Sequence, residues 1–334
     1  MKKLLAVGTL PPPIGGTSIS FQEFVNMTKA HPNVDLSLLD SGGLRGINGR
    51  LELTKFISFI FKFKSEVKKC DVVMLHLSYQ ALALLAPFAL FFCKIYSKKL
   101  VIRRFGGLLH SEMNFFCRNV LNFTLNHSHA YLVETKHQVN EFNNNNIVFY
   151  PTGRSKLHFK PYYSPPIALK KVSFISQVKK TKGIFELIES IGTRPDLQLE
   201  IYGPLFDGIK KEELEKYPNV KYKGVATGSR VKEIISETDI ICLPSYYPGE
   251  GYPGIIFEAI QCGKPVLVSN WKGLPDLVYN NSGVVVEPRS DSAISIGISK
   301  IENIIDNRLF ICDIEYLSNQ FDSDKIFCDF INSL

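Results

Sequence analysis

Two glutamates, Glu250 and Glu258, stand eight residues apart in the segment PSYYPGEGYPGIIFEAIQCGKP, 244–265. The first falls in a loop rich in glycine and proline, the second in a short helix. Carboxylates so placed can hold hydroxyl groups, and one lying beside a reacting carbon offsets positive charge that develops there. The free N–H groups at a helix start hold anions and sugar hydroxyls. Apolar runs flank the segment, DIICLPS before it and KPVLVSN after it. The order is therefore strand, loop, helix, strand, with the loop at the carboxyl end of the first strand, where open α/β sheets bind ligands. Pro253 suits the first helical turn, Gly263 a left-handed stop, and Pro265 prevents continuation. Helical side chains lean toward the N-terminus, so Glu258, off the stripe of Ile255, Ile256, Ala259 and Ile260, can reach the same ligand.

Two further loops suit a ligand carrying phosphate. The first runs from Gly8 to Thr17, GTLPPPIGGT, where Gly15 and Gly16 let backbone amides approach an anion at the start of a helix. Its spacing is not GxGxxG, so a dinucleotide fingerprint is not supported. The second is SQVKKTKGIFELIES, in which Lys179, Lys180 and Lys182 crowd a helix start. Cations there are electrostatically disfavoured unless an anion binds between them.

Alternating strand and helix signals must position these loops. Strands are expected at 3–7, 35–39, 72–77, 100–103, 130–133 and 147–150, and again at 171–175, 197–202, 220–223, 239–243, 265–269 and 283–286. Such alternation implies parallel sheets built from βαβ units, an α/β fold in two domains. A proline-rich stretch near 151–171 reads as the linker, and 321–334 as an amphipathic final helix.

The 334 residues carry a net charge of +7, divided as +12 over 1–170 and −5 over 171–334. No stacking motif, helix-turn-helix or arginine repeat accompanies the basic half, which argues against nucleic acid. It fits an anionic membrane or a diphosphate-bearing ligand instead. The segment FISFIFKFKSEVKK, 56–69, interleaves aromatics with lysines and reads as a helix lying in an anionic interface. Seven cysteines without CxxC spacing read as buried, reduced thiols of a cytoplasmic protein, with neither a zinc site nor a disulfide frame. The N-terminal apolar stretch is too short for a signal peptide, and no run reaches the length of a bilayer span.

With these segments in hand, the chain resembles a GT-B glycosyltransferase of the large retaining family numbered four, the glycosyl transferases group 1. PPPIGG resembles the family's N-terminal glycine loop, SQVKKTKGIFELIES its G-R-L-x-x-x-K-G helix start, and Glu250–Glu258 its Glu-x7-Glu motif. CGKPVLVSNWKGLPDLV resembles the strand and loop that follow. The resemblance implies two Rossmann-like domains facing a cleft, with an acceptor-binding domain over 1–165 and a donor-binding domain over 166–316. It also implies a final helix, 317–334, crossing back to the first domain. It further implies a nucleotide-sugar donor, no other cofactor, no metal, and transfer with retention to an acceptor hydroxyl.

Carried over residue by residue, Gly15, Gly16 and Lys182 would meet the donor diphosphate. Glu250 would hold the donor sugar and face its reacting carbon, helped by backbone amides of Gly251, Tyr252 and Pro253. Glu258 would accept from the ribose hydroxyls, and the loops at Gly203 and Val225 would flank the base. The acceptor expected is a glycan, plausibly a lipid-linked bacterial surface polysaccharide intermediate, at the inner face of the plasma membrane. Two positions depart from the family pattern. Gln177 replaces its usual arginine, a loss for which Lys179, Lys180 or Arg154 can compensate. Phe105 replaces the histidine beside the donor sugar, so His110 or His76 is the substitute, while Arg103 and Arg104 suit an acidic or diphosphate-linked acceptor. The departures leave open an inactive binding subunit, and the fold leaves open a sugar-nucleotide epimerase. The Asp322-Ser323-Asp324 triplet reads as helix capping rather than as a metal site.

Overall fold

A computed structural model describes residues 1–12, 15–44, 52–142 and 144–334. Pro13 and Ile14 of the glycine loop, and Asn143, lie outside the described residues. The chain divides into two compact units, Met1–Pro151 and Thr152–Leu334, rather than at 165/166. Residues just after the division are bonded into the second unit. The Arg154 N–H donates to the Phe321 carbonyl, and the Ser155 hydroxyl donates to Asp324 at 2.6 Å. The final helix, Ser323–Ser333, belongs to that unit as well.

The first unit holds six strands: β1 (Lys2–Gly8), β2 (Val34–Asp40), β3 (Val72–Ser78), β4 (Lys99–Phe105), β5 (Ala130–Val133) and β6 (Ile147–Phe149). They lie in the order β2-β1-β3-β4-β5-β6, every pair parallel. The chain steps one way from β1 to β2 and the other way from β2 onward. With right-handed crossovers, the helix Gly16–Ala30 covers one face, and Leu53–Lys69, Tyr79–Ile95 and Phe115–His127 cover the other. The inner rows of those three helices, such as Phe63, Leu82 and Leu121, share a core with Val73, Leu75 and Ile102 of the sheet.

The second unit repeats the plan with β7 (Lys171–Ile175), β8 (Gln198–Tyr202), β9 (Val220–Gly224), β10 (Ile240–Leu243), β11 (Val266–Ser269) and β12 (Gly283–Val286). Their order is β12-β11-β10-β7-β8-β9, again wholly parallel. The central strands β7, β10 and β11 are buried on both faces because helices cover both, with hydrogen-bonded Ser173 and Ser269 among their apolar residues. All twelve strands fall where the alternation of apolar runs puts them.

Of the seven thiols, Cys70, Cys93, Cys242 and Cys262 are buried, whereas Cys312 and Cys328 are exposed. Cys328 misses the core because Phe327, Phe330 and Ile331 take the inner face of its helix.

Three histidines of the first unit, His76, His110 and His129, sit below the ordinary imidazole range. Burial is the main cause in each case, followed by a nearby cation: Arg103, Arg104 and Lys99 respectively. As pH falls, the unfolded chain therefore takes up these protons before the folded one. Stability is full above the unfolded value of 6.5 and declines below it. The urea midpoint should drop between about pH 7.5 and about 5.5, with buried His76 and His110 each contributing up to about 1.4 kcal/mol per pH unit and exposed His129 little. His76→Phe should flatten that slope, and an unchanged slope would refute the assignment.

Candidate active site

In the second sheet the chain leaves β7 toward β8 on one side and leaves β10 toward β11 on the other, although β7 and β10 are neighbours. Such a reversal opens a crevice at the carboxyl ends of the two strands. The loop after β7 carries Lys182 and the loop after β10 carries Glu250. They meet there: the Lys182 ammonium lies 2.9 and 2.6 Å from the two carboxylate oxygens of Glu250. Both side chains are nearly inaccessible, at 10% and 6% exposure. The Ser245 hydroxyl donates to one of the same oxygens. A buried ion pair is expensive to desolvate, and this one is supported by good geometry and an added hydrogen bond.

The backbone holds the two loops together. The Tyr246 N–H donates to the Thr181 carbonyl at 2.8 Å, tying the Glu250 loop to the Lys182 loop. The Trp271 indole N–H donates to the Tyr247 carbonyl at 2.8 Å, tying it to the segment after β11. Gly183, with φ +73°, permits this approach, since a Cβ there would stand 2.2 Å from the Pro244 carbonyl oxygen. Lys182 and Lys179 both lie over the Tyr247 ring, at 5.1 and 5.4 Å, and Lys179 also over Phe206 at 4.5 Å. The crowding of lysines seen in the sequence is thus relieved by a carboxylate and by two aromatic faces.

Glu258 lies in the helix Gly254–Gln261, whose inner face buries Ile256, Ala259 and Ile260. Its carboxylate pairs with Arg154 at 2.9 Å, the two side chains being 18% and 9% exposed. Arg154 is further held by the Gly153 carbonyl at 3.1 Å. Gly254 makes room for it: a Cβ there would stand 2.3 Å from Arg154 Nη2. Arg154 is therefore committed to Glu258. Asp322 and Asp324 serve the same corner. Asp322 accepts from the Lys156 and Asp324 N–H groups, each at 3.3 Å, which accounts for the acidic triplet by capping.

The other expected donor contacts fall at the same sheet edge. Gly203 ends β8 with φ +137°, and a Cβ there would stand 1.7 Å from the Ser176 carbonyl oxygen, so this position needs glycine. Its N–H donates to Gly224 at 2.9 Å, which sets Val225, 61% exposed, beside it. Gln177 follows β7 and is exposed. Gly251 is half-buried, and Tyr252 is buried with its hydroxyl on Asp276 at 2.8 Å. Pro253 cannot act as expected: proline has no N–H, and here it caps the helix that follows.

The first unit treats its expected residues differently. Gly15 and Gly16 open the helix Gly16–Ala30 and are exposed, with nothing within 4 Å of a Cβ built on either. Packing among the described residues therefore does not explain the glycine pair. His76 is fully buried, with ring centroids of Phe21, Phe24 and Phe105 at 5.0, 5.5 and 4.3 Å. Its Nε2 is 3.5 Å from Arg103, which is itself sandwiched between Phe105 at 4.6 Å and Tyr150 at 4.3 Å. Phe105 thus fills the histidine's place by stacking. On the opposite face of β4, Arg104 is 1% exposed; among the described residues its guanidinium makes no well-formed hydrogen bond, and the buried Tyr131 hydroxyl is a polar neighbour. His110 is buried too, edge-on to Phe142 at 5.3 Å, while its backbone N–H donates to Glu141 at 2.8 Å.

Sequence reasoning missed Ser245 and Trp271. Both act through bonds between loops distant in the chain, and no local signal marks them. The Arg154–Glu258 pair spans 104 positions and was equally hidden, although Arg154 had been singled out for its charge.

Residues 166–308 match the family described as Glycosyl transferases group 1. Over 138 residues the chain is 25% identical to the putative teichuronic acid biosynthesis glycosyltransferase TuaC of Bacillus subtilis, covering 41% of this chain and 34% of that protein. Over 79 residues it is 34% identical to O-antigen chain mannosyltransferase B of Escherichia coli, covering 24% and 20%. The chain thus spans about a third or less of the length of these two curated relatives. The crystal structure of Anabaena HepE in complex with UDP covers the whole of both chains at a TM-score of 0.74 and 15% identity, and the UDP-glucose complex does so at 0.70 and 14%. That likeness establishes the fold. Residues 166–308 thus match the Glycosyl transferases group 1 family, and the chain that carries them has the GT-B fold.

Proposed function

We propose that this protein transfers a hexose from a nucleotide-sugar donor to an acceptor hydroxyl, with retention of anomeric configuration and without a metal ion. The acceptor we assign is a growing, lipid-linked bacterial surface glycan. The observation that carries the reading is the buried Lys182–Glu250 pair at the switch point of the second sheet. When a nucleoside diphosphate departs, negative charge builds on its phosphates, and a fixed cation such as Lys182 stabilises it. The carbon left behind becomes electron-poor, and a carboxylate such as Glu250 stabilises that side. Gly203 and Val225 border the base, and Glu258, oriented by Arg154, accepts from the ribose. Support for the donor class comes from HepE, whose crystal structures hold UDP and UDP-glucose. Support for a polysaccharide acceptor comes from TuaC and O-antigen chain mannosyltransferase B. Retention follows from the resemblance of the Glu-x7-Glu segment.

Thermal-shift titration against a panel of nucleotide-sugars tests the donor. A true donor at ~100 times its Kd adds roughly 2.7 kcal/mol of stability. No response to any member of the panel would overturn the reading. With the donor identified, Glu250→Gln should lower kcat by about 100-fold or more while donor affinity stays within a few-fold. Product anomeric configuration, read by NMR, tests retention.

Gln177→Arg restores the cation that the family pattern has at this exposed position. It should tighten donor binding by about tenfold, near 1.4 kcal/mol, if the diphosphate lies beside the loop after β7. Unchanged affinity would place the diphosphate elsewhere. Lys182→Met leaves Glu250 buried without its partner and should destabilise the fold by about 3 kcal/mol. The double variant with Glu250→Gln should recover most of that loss in a urea melt, which separates the structural cost from the effect on transfer.

A further inference from the structure

The helices Leu53–Lys69, Tyr79–Ile95 and Phe115–His127 lie side by side on one face of the first sheet. Phe56 meets Phe88 edge-on at 5.5 Å, and Phe63 meets Phe92 at 6.2 Å, joining the first helix to the second. The second packs in turn along the third. Each helix has its inner apolar row in the core, and each carries a second apolar row turned outward. On the first helix it is Leu53, Ile57 and Phe61, spaced by four residues and 66%, 48% and 69% exposed. On the second it includes Phe88, Phe91 and Ile95, at 38%, 59% and 55%. On the third, Phe115, Phe116 and Phe123 stand at 73%, 71% and 57%. Isolated exposed phenylalanines are ordinary, but outward rows on three adjacent helices mark an interaction surface.

The sequence pointed to the first helix alone, and for partly different residues. Phe59 and Phe63, which helped suggest an interfacial helix, are buried in the core, and Phe61 is the outward one.

Charge identifies the partner. The three helices contain seven Lys and Arg residues and a single acid, Glu66, which Lys69 takes up at 2.7 Å. Lys62, Lys64, Lys68 and Lys94 are exposed around the aromatic rows. A symmetric contact with a second copy would set these lysines against one another. An anionic bilayer instead draws the lysines to its headgroups, while the rings enter the boundary with the acyl chains. Among the described residues no helix is long and apolar enough to cross a membrane. We infer that this three-helix face is a docking surface for an anionic lipid bilayer. The inference does not depend on the transfer chemistry.

Sedimentation of the full chain with vesicles tests it. The protein should pellet with phosphatidylcholine–phosphatidylglycerol vesicles at low salt, much less with phosphatidylcholine alone, and progressively less as salt rises. Phe61→Ser/Phe91→Ser/Phe115→Ser should weaken partition by at least about tenfold, since each ring loses its burial in the interface. Lys62→Glu/Lys64→Glu should abolish the preference for anionic vesicles. All these positions are exposed, and an unchanged circular dichroism melt verifies that each variant folds. The triple variant should still respond to nucleotide-sugars like the parent, which keeps this test separate from that of donor binding. The inference is overturned by absence of partition at any salt. Equal partition by the triple variant overturns it too, as does a dimer in light scattering that the phenylalanine substitutions dissociate.

Discussion

The second unit is organised around one electrostatic constraint, the ion pair between Lys182 and Glu250 with almost no access to water. Two charges removed from solvent lose several kcal/mol of hydration each, and only close, well-directed contacts compensate. Those contacts require β7 and β10 to be neighbours, a glycine at 183 so the loops can touch, and Ser245 to engage the same carboxylate. The pair also limits what can bind. A ligand that draws on the lysine's charge must offer hydrogen-bond donors to the glutamate in return, or a carboxylate is stranded. A phosphorylated sugar, anionic at one end and rich in hydroxyls at the other, meets both demands.

The two units handle buried polarity differently. In the second, Lys182, Glu250, Arg154 and Glu258 find partners of opposite charge. In the first, Arg103 is held between aromatic rings and beside a histidine, with Glu134 and Glu23 acting on it electrostatically, and among the described residues Arg104 makes no well-formed hydrogen bond through its guanidinium. Most buried polar groups in folded proteins are satisfied, so a guanidinium of this kind is exceptional. The stack of His76, Arg103 and Phe105 also shows how the chain packs a phenylalanine at the carboxyl end of β4. Around that ring the surroundings are aromatic and cationic rather than set up for proton transfer.

Much of this architecture was legible beforehand. Parallel strands buried on both faces read as apolar runs, as β3 and β10 do, whereas edge strands such as β9, VKYKG, show through alternation and position between turns. Glu250 and Glu258 could be located because glycine and proline punctuate their segment so densely. Arg154, by contrast, gave no hint of its partner, since its neighbours LHFKPYY and Glu258 are related only through the folded chain. At Pro253 the motif position expects an amide donor that proline does not possess, and the residue instead starts the helix that follows. The outward rows of the second and third helices were obscured for another reason. A helix apolar on both sides has weak periodicity, and only the sheet order decides which side faces in.

Gly254 supplies one more consequence. Because it lacks a side chain, the guanidinium of Arg154 lies against the very start of the helix bearing Glu258, and Arg154 stands only two positions after Thr152, where the second unit begins. One rigid planar group therefore fixes the carboxylate of Glu258, four residues along that helix, to the backbone at the point where the chain enters this unit.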